Sequence, residues 1–270
     1  MYKRQVYIST FLKENCKYKP AANRLFTALA ANGVQYKLLD GTRDIWLRDF
    51  MPVKTKSGKY ISFRYEPGYL KDNPELRTDY RREIAPSLSL ENLIYSDINL
   101  DGGNIVFSPA QETAVISDRI FQENPKLSSA ELVRELEKLL EARVIIIPSL
   151  RSDMTGHADG MVRFVSENTA VGNASKSLFG LEAHIKTVLR NHGIEVYNFP
   201  YFDSKGGSAI GCYLNFLETE NAIFLPVFCI DMYKKAVDAA NHIFNKTLVP
   251  ININEISEDG GVLNCISWEN

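Results

Sequence analysis

The amino-acid sequence predicts an α/β fold built from five repeated units closed into a ring. Three observations predict it. A pattern of strand, short polar turn, strand, amphipathic helix and strand recurs along the chain. Unit starts are spaced by roughly 45–60 residues, so five units use up the whole sequence. The two chain ends each hold part of a unit, and joined they make a complete one.

The elements follow in order. Residues 6–9, 20–32 and 34–40 read as strand, helix, strand. Residues 46–55 and 59–65 read as a hairpin about Ser57 and Gly58, followed by a helical stretch near 73–84 and a strand at 92–95. The next unit has strands at 104–107 and 113–117, a helix, and a strand at 143–148. Its helix opens with Ser128 and Glu131 in a capping-box spelling, which satisfies N–H groups that have no partner in the first turn. A further unit has strands at 161–165 and 169–171 around a turn at 166–168, a helix from about 178 to 191, and a strand at 194–197. The last complete unit has strands at 212–217 and 222–225, a helix from about 231 to 244, and a strand at 248–251. Residues 261–267 read as a lone terminal strand that completes the unit begun at the N-terminus. Closure of this kind leaves no open strand edge at the seam. An ordinary open sheet of βα units is the other architecture this pattern allows. No Pro-, Gly- or Ser-rich linker interrupts the chain, so residues 1–270 are expected to form one domain.

Hydrophobic residues make up 45% and charged residues 24%, which excludes disorder, collagen and coiled coil. The formal charge is −2 and no basic block occurs, so nothing marks a nucleic-acid or membrane-surface partner. The start of the chain lacks a signal-peptide core, and no apolar run reaches the roughly 18 residues of a membrane span. Cys16, Cys212, Cys229 and Cys265 are far apart and form no C-x-x-C pair. A disulfide scaffold is therefore not expected, and the expected location is a reducing cytoplasm. Cys212 and Cys229 lie in apolar, strand-like runs and are expected in the core, with Cys16 near the surface. His184, His192 and His242 fall in helical stretches and need no function. No phosphate-binding glycine loop is present, and Gly206, Gly207 and Ser208 read as a loop entering a strand.

Chemistry-bearing residues recur just before or at the first strand of successive units: Asp49, Asp101, His157 with Asp159, and Cys265. In a closed ring, equivalent positions meet at one end of the axis. Taken singly, each has an ordinary structural reading: a turn aspartate, half of a surface ion pair, a hydrogen-bonding histidine, a small buried thiol. Their coincidence at equivalent repeat positions favours function. A cysteine beside an imidazole suffices for nucleophilic thiol catalysis. Several aspartates in one pocket repel each other and need a counter-charge. A planar guanidinium suits them, because one carboxylate can accept two of its N–H groups. Trp46 serves equally as core or as pocket wall.

Four strings then stand out: Trp46 to Asp49, Asp101 to Asn104, Gly156 to Asp159 followed by Arg163 and Phe164, and Gly260 with Gly261 leading to Cys265. In this order they resemble the agmatine deiminase and bacterial-type peptidylarginine deiminase family, and residues 213–216 leading to 225–228 are similar too. The resemblance implies the fold of the guanidine-modifying superfamily, a five-bladed pseudo-symmetric α/β propeller (pentein). It implies Cys265 as nucleophile, His157 as general acid/base and Asp101 as the acid orienting the histidine. It implies Asp49 and Asp159 as the guanidinium-holding carboxylates and Trp46 as a pocket wall. The implied reaction is a hydrolysis through a covalent thiouronium, with no metal or organic cofactor. The implied partner is a small cationic guanidino substrate, and assembly into a homo-oligomer is compatible with the sequence. The chain departs from agmatine deiminases at Asp101, where they carry Glu, at Asn264, where they carry His, and at Phe50 and Met51 before Pro52. An amidinotransferase or dihydrolase on the same scaffold, a metal-dependent hydrolase and a non-catalytic guanidino binder are the alternatives.

Overall fold

The computed structural model describes residues 5–175, 178, 180–204 and 207–270; Gly206 of the glycine loop lies outside them. Their strands form five three-stranded sheets. The chain divides into two compact units, one of residues up to Arg48 with Phe199–Asn270, the other Asp49–Asn198.

The first unit holds β1 (Val6–Ser9), α1 (Thr10–Glu14), α2 (Lys19–Ala31) and β2 (Tyr36–Leu39). It resumes with β12 (Leu217–Glu218), β13 (Ala222–Val227), α7 (Met232–Ile243), β14 (Thr247–Asn252), α8 (Asn254–Ser257) and β15 (Ser267–Glu269). Its sheets have the orders β15-β1-β2 and β12-β13-β14. In each sheet the first pair is antiparallel and the second is parallel. The C-terminal strand thus takes beside β1 the place that β12 takes beside β13, as the split repeat predicts. α2 buries Ala21, Ala22, Leu25 and Leu29, the one-sided spacing of an amphipathic helix.

The second unit holds β3 (Val53–Lys54), β4 (Tyr60–Arg64), β5 (Leu93–Asn99), β6 (Ile105–Phe107), β7 (Thr113–Ser117) and β8 (Arg143–Ile147). β9 (Val162–Ser166), β10 (Thr169–Ala174) and β11 (Glu195–Pro200) form its remaining sheet. Its helices are α4 (Arg119–Glu123), α5 (Ser129–Leu140) and α6 (Leu181–Asn191); α3 (Leu47–Phe50) spans the boundary. The capping box forms as spelled: Glu131 N–H reaches Ser128 Oγ while Ser128 N–H reaches Glu131 Oε2. α5 then buries Leu132, Leu136 and Leu140, one every four residues, against a core that includes Ile61, Ile105, Ala114 and Ile116. β7 is buried along its whole length because it is the middle strand of its sheet.

The structure corrects the sequence reading at four places. The helix expected near 73–84 is a series of short turns at Pro74–Leu76, Tyr80–Ile84 and Ala85–Ser87, because the chain is extended at Arg77 and Asp79, and Asp79 caps a new turn by accepting the N–H of Arg82. The first arm of the expected hairpin is mostly the short helix α3, and only Val53–Lys54 pairs with β4. The strands expected at 212–217 and 261–267 shrink to β12 and β15, with turns before them. Cys229 is exposed and Cys212 is half-buried, outside the core. Among the described residues no helix is long and apolar enough to cross a membrane.

Leu136→Ala should lower the stability of the fold by about 2–5 kcal/mol, since the side chain is fully buried and leaves a cavity. Ser128→Ala should cost about 1 kcal/mol through the lost cap. Urea unfolding of both variants measures this, with an unchanged slope expected.

Candidate active site

In the second unit, two successive repeats present a polar residue in the same backbone setting. Asp101 precedes the short turn Gly102–Asn104, and His157 precedes Ala158–Gly160. Both residues are extended, with φ/ψ of −76°/134° and −70°/147°. Asn104 locks the turns together, its buried Oδ1 accepting the N–H of Ser117 at 2.9 Å and of Ala158 at 3.1 Å. Asn173 holds the second turn from the other side, donating Nδ2 to Gly160 O at 2.7 Å.

Gly103 leaves the room in which the side chains converge. A Cβ there would lie 2.6 Å from Asp49 Oδ1, 2.8 Å from His157 Nδ1 and 3.3 Å from Asp159 Oδ2. Its N–H donates to Asp49 Oδ1 at 3.2 Å. His157 Nε2 meets Asp101 Oδ2 at 2.9 Å, and its Nδ1 faces Asp49 Oδ1 at 3.6 Å. The short Asp101 side chain therefore reaches the imidazole. Burial favours neutral His157, but the charges of Asp49, Asp101 and Asp159 and the Asp101 hydrogen bond override it, raising the pKa to about 10. The histidine is an imidazolium at neutral pH, its Nε2 donating to Asp101 and its Nδ1 proton facing the Asp49 carboxylate. Tyr69 adds its hydroxyl 3.4 Å from Asp101 Oδ2 and stands edge-on to His157.

In the first unit, Cys265 sits in the turn before β15. Asn215 Oδ1 receives the Cys265 backbone N–H at 3.2 Å and lies 3.2 Å from Sγ. The Asn215 carbonyl takes the N–H of Asn264 at 3.1 Å. Arg48 braces the same turn, its backbone N–H on Cys265 O at 3.0 Å and its Nε on Asn264 O at 3.3 Å. Glu269 of β15 holds the Arg48 guanidinium with both oxygens, at 2.8 and 2.9 Å. Trp46 is seated by its N–H on Asp44 Oδ1 at 2.9 Å. Its ring lies flush on Gly261, where a Cβ would be 2.1 Å from Cζ3.

The structure thus brings Asp49, Asp101, His157 and Asp159 together in the second unit, and places Cys265 and Trp46 in the first. Sequence reasoning missed four residues here. Asn215 lay in a string already noted for its resemblance, and Gly103 and Asn104 lay in the Asp101 string. Tyr69 carried no signal, because only tertiary folding brings it to Asp101. Among the described residues no group of three or more His, Cys, Asp or Glu side chains is placed to hold a metal ion.

Two outcomes are expected. Gly103→Ala should displace Asp49 or His157 and so shift the His157 resonance in histidine NMR, with a folded protein by circular dichroism. Wild-type stability linked to His157 should be fully present below pH ~6.5 and fall as pH rises towards about 10. Urea unfolding across that range, with His157→Asn as the control lacking this dependence, measures it.

The profile of the Porphyromonas-type peptidyl-arginine deiminase family matches residues 4–270. No curated protein matches significantly in sequence. Among solved structures, C. jejuni agmatine deiminase is similar at a TM-score of 0.76 and 16% identity, covering 99% of this chain and 93% of that one. Agmatine deiminase of Enterococcus faecalis is similar at 0.77 and 15%, covering 99% and 93%. DDAH from Pseudomonas aeruginosa, complexed with citrulline, is similar at 0.65 and 10%, covering 100% of each chain. The α/β fold of five small sheets is therefore shared with these enzymes. The match over nearly its whole length places the chain in the Porphyromonas-type peptidyl-arginine deiminase family.

Proposed function

We propose that this protein is a cysteine-dependent hydrolase of carbon–nitrogen bonds in a guanidino compound such as agmatine, arginine or peptidylarginine. The observation that carries this reading is the convergence of Asp49, Asp101 and Asp159 on His157 around Gly103. Three carboxyl groups surround a single imidazole, an acidic excess that complements a small cation. Family membership and the fold shared with agmatine deiminases support the same substrate class. The reading includes the closed, five-bladed arrangement of the five repeats within one domain.

Each residue then has a chemical task. The carboxylates of Asp49 and Asp159 hold the guanidinium N–H groups in charge-assisted hydrogen bonds. Trp46 walls the pocket. The Cys265 thiolate adds to the guanidinium carbon, forming a C–S bond. Asn215, within 3.2 Å of Sγ, orients the thiol. His157 gives its proton to the departing nitrogen, the C–N bond breaks, and ammonia leaves. The neutral imidazole, kept in place by Asp101, takes a proton from water. The resulting hydroxide attacks the thiouronium carbon, the C–S bond breaks to release the thiolate, and the remaining hydroxyl proton passes to solvent, where the released ammonia takes it up, leaving a neutral ureido product. The imidazole that donated one proton has regained one, so the cycle closes.

Cys265→Ala should abolish release of ammonia and ureido product from a panel of agmatine, arginine and arginine peptides; unchanged turnover would overturn the mechanism. Asp49→Asn should lower kcat/KM by about a hundredfold or more, from the loss of a charged hydrogen-bonding partner worth roughly 1.5–3 kcal/mol per bond. Adding an amine acceptor should leave the products unchanged; amidino transfer to the amine would instead identify a transferase.

A further inference from the structure

We propose that Tyr69 is a positioning residue that shares the Asp101 carboxylate with His157 and so sets how strongly Asp101 holds the imidazole. Its catalytic consequence rests on the deiminase reading; the contact itself does not. Tyr69 Oη and His157 Nε2 both approach Asp101 Oδ2, at 3.4 and 2.9 Å. A carboxylate only accepts, so the tyrosine hydroxyl is the donor. Burial, with the charges of Asp101, Tyr65 and Asp49, holds the phenol well above its ordinary pKa, so it keeps its proton. Two donors on one oxygen compete, and the share taken by Tyr69 weakens the grip on His157.

The surrounding chain is built to hold this contact. Asn99, two residues before Asp101, accepts the N–H of Glu66 and donates to its carbonyl, both at 2.8 Å. It also donates to Glu123 Oε2 at 3.1 Å, while Glu123 Oε1 takes the N–H of Gly68 at 3.2 Å. Arg119 Nε pairs with the same Glu123 Oε1 at 3.4 Å. Asn99 thus ties the strand leading to Asp101 to Glu66, and Glu123 links that asparagine to the turn Gly68–Leu70 that carries Tyr69. The Tyr65 hydroxyl lies 3.5 Å from the Tyr69 hydroxyl and donates to it, since the Tyr69 proton goes to Asp101. The groups facing His157 are Asp49, Asp101 and Asp159 with the Tyr69 ring. Those facing Tyr69 are Asp101, Asp49 and Tyr65. This segment belongs to the repeat in which short turns replace the expected helix.

Histidine Cε1 NMR reads the effect directly. The chain has four histidines, and His157→Asn assigns the resonance. Tyr69→Phe keeps the ring and removes only the hydroxyl. It should raise the His157 pKa by about half a unit, because Asp101 then bonds His157 alone. A merely structural loosening would let Asp101 drift and lower it, so an unchanged or lowered value overturns the proposal. In an Asp101→Asn background, Tyr69→Phe should leave His157 unmoved; a shift there also overturns it. Turnover is read separately, with kcat expected to fall severalfold and KM to stay within about twofold. If His157 moves upward but no guanidino compound is hydrolysed, the positioning role stands and the deiminase reading fails.

Discussion

The space left by a missing side chain at Gly103 is the constraint on which the acidic centre depends. Asp49, His157 and Asp159 each bring a polar atom within 3.3 Å of where its Cβ would lie. Asp159 and Gly103 occupy corresponding places in two successive turns, each the second residue after the polar one. The repeat thus puts a carboxylate in one turn and nothing in the other, so that one side chain fills the space its counterpart leaves open. Asn104 makes the arrangement rigid by tying both turns through one buried oxygen. Pseudo-symmetry supplies the approach of the two turns, and the asymmetry at this position supplies the chemistry.

Three buried or nearly buried carboxylates would be costly to assemble if each had to be charged without a partner. The imidazolium offsets that cost. It lies between Asp49 and Asp101, one on each ring nitrogen, and desolvation alone would have driven it neutral. On the proposed reading, a guanidinium taking up Asp49 and Asp159 would withdraw part of the field holding the proton on His157, and so would ease its release to the departing nitrogen.

The repeat, the split unit and most elements were legible because hydrophobic periodicity and capping are local. Ser128 and Glu131 spelled the start of α5, and the apolar run at 113–117 became the buried middle strand β7 as read. Failures came where local pattern competes with something else. Extended backbone at Arg77 and Asp79, with Asp79 capping a new turn, broke a stretch whose composition resembled a helix. The apolar runs before β12 and β15 turned instead of extending, since tight turns there seat Asn215 and Cys265. Cys229 sat in an apolar run but at its end, where the chain leaves β13 for the surface. The convergence of Asp49, Asp101, His157 and Asp159 was readable from their types and their places in the repeats. Asn215 and Tyr69 were not, because an asparagine or a tyrosine is ordinary in most settings and gains its role from a neighbour far away in sequence.

The turn that carries Cys265 shows how side-chain bracing complements a strand of only three residues. β15 contributes only Ser267–Glu269 to its sheet, too little pairing to define the residues before it by itself. Arg48 supplies the missing definition. Its backbone N–H and its Nε engage consecutive carbonyls of the turn, while Glu269 holds its guanidinium by two bonds. A half-buried pair of this kind adds little net stability once desolvation is counted. Its geometry is what matters, because the planar guanidinium fixes direction as well as distance. Lysine would retain the charge and lose the fork, so the requirement here is for arginine specifically. The thiol is thus oriented from two sides: Asn215 acts on its own amide and sulfur, and Arg48 on the carbonyls of the turn that bears it.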